Sequence, residues 1–301
     1  MPRSQGGFNA RIMLPVRAPF RLDLTAEALR RLASNVVDVL DADGTYYRAL
    51  RDERGTSLVS IRARDAGSIE VKATGRNAER WWPTVARMLG TQADLTEWRK
   101  RSARVPWLKR VAKALNGVKP PRYPSVFEAC CHAIVFQQIS IYAAGAIMRR
   151  TVELLGEPLT VGEIRCIPFP TPERLLAEPQ EKLRGCGLSA NKVAHLRSVA
   201  TASLDGSLDA ESLERLPTPE AAEVLARIRG IGPWSAAVVM LRGFGRLDVF
   251  PMRDSGVART VKALSGDEGL DLDALLEILG PVRGMLYYHL LLGRLRNLTP
   301  E

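Results

Sequence analysis

The hydrophobic period changes near residue 124, and this change constrains the fold of the 301-residue chain more than any other feature. Before it, apolar residues alternate with polar ones: Val59, Ile61 and Ala63, then Ile69, Val71 and Ala73 beyond the turn Asp65-Ala66-Gly67. A period of two belongs to a half-buried strand, and the two runs predict a hairpin. Two strands alone make no stable sheet, so segments 10–14 and 45–50 are expected to pair with them. Thr25 is expected to cap a helix carrying Leu29, Leu32, Val36 and Leu40. Asn77 precedes a helix with Trp81, Val85, Met88 and Leu89. After residue 124 everything reads at helical spacing. Ser125-x-x-Glu128 predicts a capping box opening a helix with Phe127, Cys130, Cys131 and Ile134 inward. Ser140, Thr171, Ser189, Thr218 and Asp271 or Asp273 are the expected caps of later helices, and Gly156 and Gly280-Pro281 the stops.

The expected fold class is therefore α+β. A small N-terminal antiparallel-sheet lobe with helices (1–90) precedes a basic connecting segment (91–124) and an all-helical body (125–301). Segment 96–122 sets nine cations, among them Arg101, Arg110 and Lys119, against one acid, Glu97, with Trp98 and Trp107 interleaved. It reads either as a solvated linker and helix or as a phosphate-facing surface. The whole chain has 43 Lys plus Arg against 33 Asp plus Glu, a formal charge of +10, which favours an anionic partner, nucleic acid first. No apolar run reaches the ~18 residues of a membrane span, and the first seven residues have no apolar signal core, so a cytoplasmic protein is expected. Cys130, Cys131, Cys166 and Cys186 form no C-x-x-C pair. Buried reduced thiols are expected rather than a zinc or iron–sulfur site. His132, His195 and His289 are each read as structural.

The densest chemical signal is Ile228-Arg229-Gly230-Ile231-Gly232-Pro233-Trp234-Ser235-Ala236. One helix ends near Arg229, a tight turn follows, and a second begins at Pro233, with Trp234, Ala237, Val238 and Leu241 on one face. Glycines at such a turn expose main-chain amides at a helix N-terminus, which favours a phosphate. Such a contact fixes position on a nucleic acid backbone and ignores the base. On its own the turn is better read as an ordinary connection between two helices.

The longer string resembles the helix-hairpin-helix motif of DNA-binding repair proteins. With Asp248-Val249-Phe250-Pro251-Met252-Arg253-Asp254 twenty residues on, the resemblance narrows to the helix-hairpin-helix DNA glycosylase superfamily. Ile134-Val135-Phe136-Gln137-Gln138-Ile139-Ser140 and Gly187-Leu188-Ser189-x-x-Lys192 also match family segments. Asp43-Gly44-Thr45-Tyr46-Tyr47-Arg48, with strands after it, is similar to the N-terminal lobe of the DNA-3-methyladenine glycosylase II (AlkA-type) branch. The resemblance spans roughly residues 20–295 and is strongest over 125–257.

The resemblance implies a monofunctional glycosylase that flips an alkylated base (3-methyladenine or 7-methylguanine type) out of double-stranded DNA. It would hydrolyse the N-glycosidic bond and leave an abasic site. Asp254 falls at the catalytic aspartate position. Its plain reading is the N-cap of helix 255–264, and the two are compatible, because the positive end of a helix favours a carboxylate. Asp248 is the nearby competitor. Trp234 stands where lyase members carry a lysine nucleophile, so no lyase activity is expected. Trp234 is expected to line the base pocket or to be core. Val238 and Leu291 replace aromatic pocket residues of the branch, and Tyr47 is a further pocket candidate. Gln138, with Gln137 adjacent, is the candidate wedge into the gap left by the flipped nucleotide. Gly230, Gly232, Pro233 and Ser235 are the expected backbone contacts. Main-chain carbonyls of Ala226, Ile228 and Ile231 are candidates for a structural Na+ or K+. No cofactor is required, and an iron–sulfur cluster is excluded because no cysteine follows Cys186. A monomer is expected. Two alternatives stand beside this reading: a non-catalytic helix-hairpin-helix protein that binds damaged DNA, and a glycosylase for deaminated or oxidised bases.

Overall fold

The computed structural model describes residues 7–252, 254–267 and 269–298. The first six residues and Arg253 therefore lie outside the description, and with them most of the chain start searched for a signal segment. The N-terminal part holds β1 (Ala10–Pro15), α1 (Leu22–Arg30), β2 (Asp38–Leu40), β3 (Tyr46–Asp52), β4 (Gly55–Asp65), β5 (Ser68–Ala73) and α2 (Trp82–Leu89). Then come α3 (Thr96–Ser102), α4 (Pro106–Ala114), α5 (Val126–Val135), α6 (Ile141–Leu155), β6 (Leu159–Val161) and β7 (Ile164–Cys166). The rest is helical: α7 (Pro172–Ala177), α8 (Gln180–Gly185), α9 (Ala190–Leu204), α10 (Ala210–Arg215), α11 (Thr218–Ala226), α12 (Pro233–Arg242), α13 (Ser255–Ser265), α14 (Leu272–Leu279) and α15 (Gly284–Leu295). The fold is α+β.

The sheet is antiparallel throughout, in the order β1-β5-β4-β3-β2. Asp65 closes the predicted β4–β5 turn, its Oδ1 accepting from the Gly67 amide at 2.8 Å and its Oδ2 from the Ser68 hydroxyl at 2.9 Å. Alternation sorts the two faces. Tyr46, Leu50, Val59, Ile61 and Val71 join the core shared with the helices, whereas Tyr47, Ala49 and Leu58 face the opposite way. That second face is covered by a hairpin absent from the sequence reading. β6 and β7, paired antiparallel, place Leu159 and Cys166 on Ala49 and Leu58. The expectation that everything after residue 124 is helical is corrected at this point.

Two other local expectations also change. Thr25 lies inside α1 and its hydroxyl donates to the Arg21 carbonyl, so it is not a cap. The helix stops at Arg30, because Arg31 takes φ 60° and the Asn35 side chain then accepts from the Val37 and Asp38 amides, turning the chain into β2. Leu32, Val36 and Leu40 are therefore not helical. Thr218 begins α11 without capping it; its hydroxyl accepts from Arg246. Ser125, Ser140, Thr171, Ser189 and Asp271 all cap as expected. The capping box is half formed, because Glu128 turns away from Ser125.

Glu128 turns toward the sheet. Arg48 on β3 donates from Nη1 to Asp38 of β2 and from Nη2 to both Glu128 oxygens at 2.6 Å, and all three residues are at most 2% exposed. The Tyr46 hydroxyl donates to Asp38 at 2.6 Å. This ionic cluster joins the N-terminal sheet to α5, every residue of which is buried. A second core packs Leu24 and Ala28 of α1 and Trp98, Leu108 and Val111 of α3–α4 against Val261, Leu276, Leu279 and Leu286 of the C-terminal helices. The basic stretch is partly used here. Arg101 donates to the Ile278 carbonyl and Arg110 to the Leu264 carbonyl, each at the negative end of a helix, α14 and α13. Lys119 is buried and donates to the Ala93 carbonyl, and burial pulls its amine down to about 8. Arg104, Lys109 and Lys113 stay exposed.

Removing Arg48 leaves two buried carboxylates without a counter-charge. Arg48→Met is expected to cost about 3–5 kcal/mol in urea unfolding, and adding Asp38→Asn and Glu128→Gln to recover much of it. His289 gives a pH dependence. It donates from Nδ1 to the Met285 carbonyl and accepts at Nε2 from Trp98 at 3.2 Å, an arrangement that requires a neutral ring, and burial holds its pKa down at about 4. The unfolded ring titrates near 6.5. Between those values the unfolded chain binds a proton that the folded one does not, so stability falls as pH drops. His132, also held low by burial, adds in the same direction. His289→Gln, which keeps one donor and one acceptor, should remove one proton's share of the slope, about 1.4 kcal/mol per pH unit.

Candidate active site

The turn between α11 and α12 is built around one glycine. Gly230 has φ +98°, and a Cβ there would lie 2.5 Å from His195 Cβ and Cγ on α9. Both the backbone conformation and the close approach exclude a side chain. Gly232 differs: its backbone is extended, it is exposed, and nothing stands within 4 Å of a Cβ position. It opens α12 with Pro233 at the first helical position, also exposed. The turn is tied to the end of α5. Gln137 donates from Nε2 to the Gly230 carbonyl at 2.9 Å and to Ser235 Oγ at 2.7 Å. Lys192 of α9 donates to the Val135 and Gln137 carbonyls, completing the α5 C-terminus, and burial lowers its pKa.

Across from the turn, Asp254 caps α13. Its Oδ1 accepts from the Gly256 amide at 2.7 Å and the Val257 amide at 3.2 Å. Its Oδ2 accepts from Trp234 Nε1 at 3.1 Å, so α12 and α13 are fixed to each other through this carboxylate. Trp234 and Asp254 are both half-buried on the wall of a cleft of about 870 Å³. This is the size of a small-ligand site. Three polar contacts orient the carboxylate without removing it from the cleft.

The cleft collects most of the residues singled out in the sequence. Asp254, Trp234, Val238 and Leu291 line it, as do Gln138 and the turn residues Gly230, Gly232 and Pro233. Gln138 is exposed at the rim with φ +58°, beside the exposed Ile139 and Tyr142. Gln137 and Ser235 also border the cleft, but their side chains are bonded to each other, and Ser235 is only 2% exposed. They brace the turn rather than project from it. Tyr47 is not at the cleft. The two-residue period of β3 sends it to the outer sheet face, against the β6–β7 hairpin, while Tyr46 goes inward. Asp248 is exposed and outside the cleft.

The sequence pattern described as "HhH-GPD superfamily base excision DNA repair protein" matches residues 131–278, the segment that carries the turn, Trp234 and Asp254. The chain belongs to the HhH-GPD superfamily. It is 29% identical over 189 residues to the DNA-3-methyladenine glycosylase of Bacillus subtilis, a match covering 62% of this chain and 62% of that protein. The chain thus spans less than two thirds of that curated relative. The solved 3-methyladenine DNA glycosylase of Archaeoglobus fulgidus superposes over 96% of this chain and 100% of its own, with a TM-score of 0.79 and 25% identity. A DNA-3-methyladenine glycosidase structure from Bacillus halodurans matches at 30% identity, 66% of this chain, 89% of its own and a TM-score of 0.51.

Residues that the sequence reading passed over complete this superfamily cleft. Arg31 reaches it from the end of α1, lies 4.1 Å over the Phe136 ring and donates to the Tyr287 hydroxyl at 3.1 Å. Arg31 follows the last residue of α1 and takes φ 60°, where a continued helix would have a negative φ. His132 lines the cleft as well, stacked on Tyr123 at 4.2 Å.

Gly230→Ala forces a positive φ on a side chain that also meets His195. It is expected to lower the unfolding midpoint more than Gly232→Ala, which has open space and an ordinary φ; thermal melts of the two variants check this.

Proposed function

We propose that this protein is a monofunctional DNA glycosylase that flips a damaged base into the cleft and hydrolyses its N-glycosidic bond, releasing alkylated bases of the 3-methyladenine and 7-methylguanine type. The observation that carries the reading is Asp254: a carboxylate on the cleft wall, oriented by two main-chain amides and the Trp234 indole. Departure of the base leaves positive charge on the sugar, and a fixed carboxylate beside it stabilises that charge and orients the attacking water. Alkylated purines already carry positive charge, so little acid catalysis on the base is needed. Trp234 offers no amine, so no covalent sugar intermediate forms and the product is an abasic site.

Each remaining part has a role in this reading. The exposed N-terminus of α12, which opens at Gly232 and Pro233, takes a phosphate of double-stranded DNA on its free main-chain amides, Pro233 itself having none. Gln138, held at the rim by its left-handed backbone, enters the gap left by the flipped nucleotide and hydrogen-bonds the orphaned base. The carbonyls of Ala226, Ile228 and Ile231 are neutral, hard oxygen donors, a set that suits Na+ or K+ and would stiffen the turn; no catalytic step requires the ion. One chain carries both walls of the cleft, so a monomer suffices. No helix among the described residues is long and apolar enough to cross a membrane, and we assign the protein to the cytoplasm with DNA.

A base-release panel on defined duplexes tests the reading. Wild type should free 3-methyladenine and 7-methylguanine without strand cleavage or borohydride trapping. Asp254→Asn should still bind lesion DNA while its release rate falls by roughly 10²–10³. Trp234→Phe keeps the ring but not the indole N–H, and should fall between the two. Lesion binding without release by wild type would mean a damage-binding protein instead, and full activity of Asp254→Asn would remove Asp254 from the chemistry.

A further inference from the structure

The cleft wall carries a fixed positive charge. Arg31 is 7% exposed, and no carboxylate pairs with it among the described residues. Its partners are neutral: the Phe136 ring beneath it and the Tyr287 hydroxyl, which accepts from Nη2. Its Nε is buried with no hydrogen-bond partner. Stacking and the Tyr287 bond immobilise the guanidinium, and the backbone at φ 60° that aims it is an uncommon state for any residue but glycine. The carboxylate in the same cleft, Asp254, is held by Trp234 and the α13 amides, on elements other than those that hold Arg31. His132, also on the wall, is kept neutral first by burial and then by Arg31 itself.

From this arrangement, and resting on the glycosylase reading above, we propose that Arg31 is the specificity-determining residue of the base pocket. It selects neutral bases that carry an exocyclic carbonyl over bases that carry a positive charge. A guanidinium that is itself buried is poorly screened by solvent, and it repels a cationic alkylpurine bound against it. It donates to a carbonyl oxygen on a neutral purine, and its planar fork favours an acceptor in the ring plane. Phe136 is covered by Arg31 on one face, and Val238 and Leu291 take two further wall positions without a ring, which limits stacking on a cationic base. Cationic bases still leave readily once bound. The prediction therefore concerns the ratio between substrates, not the presence of either activity.

The test compares release of hypoxanthine, a neutral base with a carbonyl at C6, with release of 3-methyladenine, a cationic base without a carbonyl, from otherwise identical duplexes under single-turnover conditions. Arg31→Leu should lower the hypoxanthine to 3-methyladenine ratio of kcat/KM at least tenfold. Arg31→Lys keeps the charge but not the fork. It should lower hypoxanthine release at least threefold more than 3-methyladenine release, so the inference remains testable if the leucine variant does not fold. Ratios within twofold of wild type in the variants that fold, or equal losses on both substrates, overturn the selectivity role and leave the glycosylase reading intact. Release of neither base by wild type overturns both.

Discussion

The Arg48 guanidinium, shared between Asp38 on the sheet and Glu128 on α5, is the contact on which the rest of the architecture depends. A buried ion pair is weak evidence for stability, because desolvation offsets the attraction, but it is demanding in geometry. Burial pushes Glu128 up to about 7, against the pull of Arg48, so the carboxylate needs that partner to stay charged. Only one placement of α5 on the sheet satisfies three charged groups at once. That placement determines where α5 ends, and its end is where Phe136, Gln137 and Gln138 enter the cleft. The N-terminal lobe thus acts on the site through a contact near the far end of the same helix.

In the proposed function, the cleft reuses structural bonds as functional ones. A cap on α13 needs an oxygen facing the first amides, and a charge-stabilising carboxylate needs a fixed direction and one face open. Asp254 meets both demands, since Oδ1 serves the helix while Oδ2 is steadied by Trp234. The same economy appears at Gln137, whose amide locks the α11–α12 turn to the α5 terminus. The exposed amide end at Gly232 is therefore presented by a turn that cannot swing independently of the cleft.

How much of this was legible depended on the range of the signal. Caps at Ser125, Ser140 and Ser189 and the Asp65 turn are local hydrogen bonds, written in three or four consecutive residues, and they were read correctly. That segment 45–50 joins the sheet is expected from the need for further strands, which does not say which phase of β3 faces inward. Tyr46 and Tyr47 are equivalent in sequence, and only the buried Arg48 two residues after Tyr46 marks the inner face. The β6–β7 strands are three residues each, too short for alternation to show. Arg31 was hidden for a different reason. Its helix ends because Asn35 captures two amides, and one Asx turn outweighed a helical pattern of leucines and valines. Asp254 and Trp234 were found individually, whereas the bond between them spans twenty residues and has no local signature.

The net charge of +10 illustrates the same limit in electrostatic form. Arg48, Arg101, Arg110 and Arg242 all count toward it, yet Arg48 and Arg242 are buried, and Arg101 and the exposed Arg110 are tied to main-chain carbonyls. Arg101 and Arg110 close helix C-termini, and Arg242, fully buried, lies over Tyr123 and Tyr288 while donating to the Ala28 carbonyl. A polyanion sees only the cations left at the surface, such as Arg104, Lys109 and Lys113, and its field is screened within about 8–10 Å at physiological salt. In the proposed function, charge of that kind brings DNA to the protein without choosing a base. Choice requires a charge that cannot reorient and is not shielded by water. Among the described residues of the cleft wall, two charged groups are seen to be held in this way: the Asp254 carboxylate, bound by an indole and two amides, and the Arg31 guanidinium, stacked on Phe136.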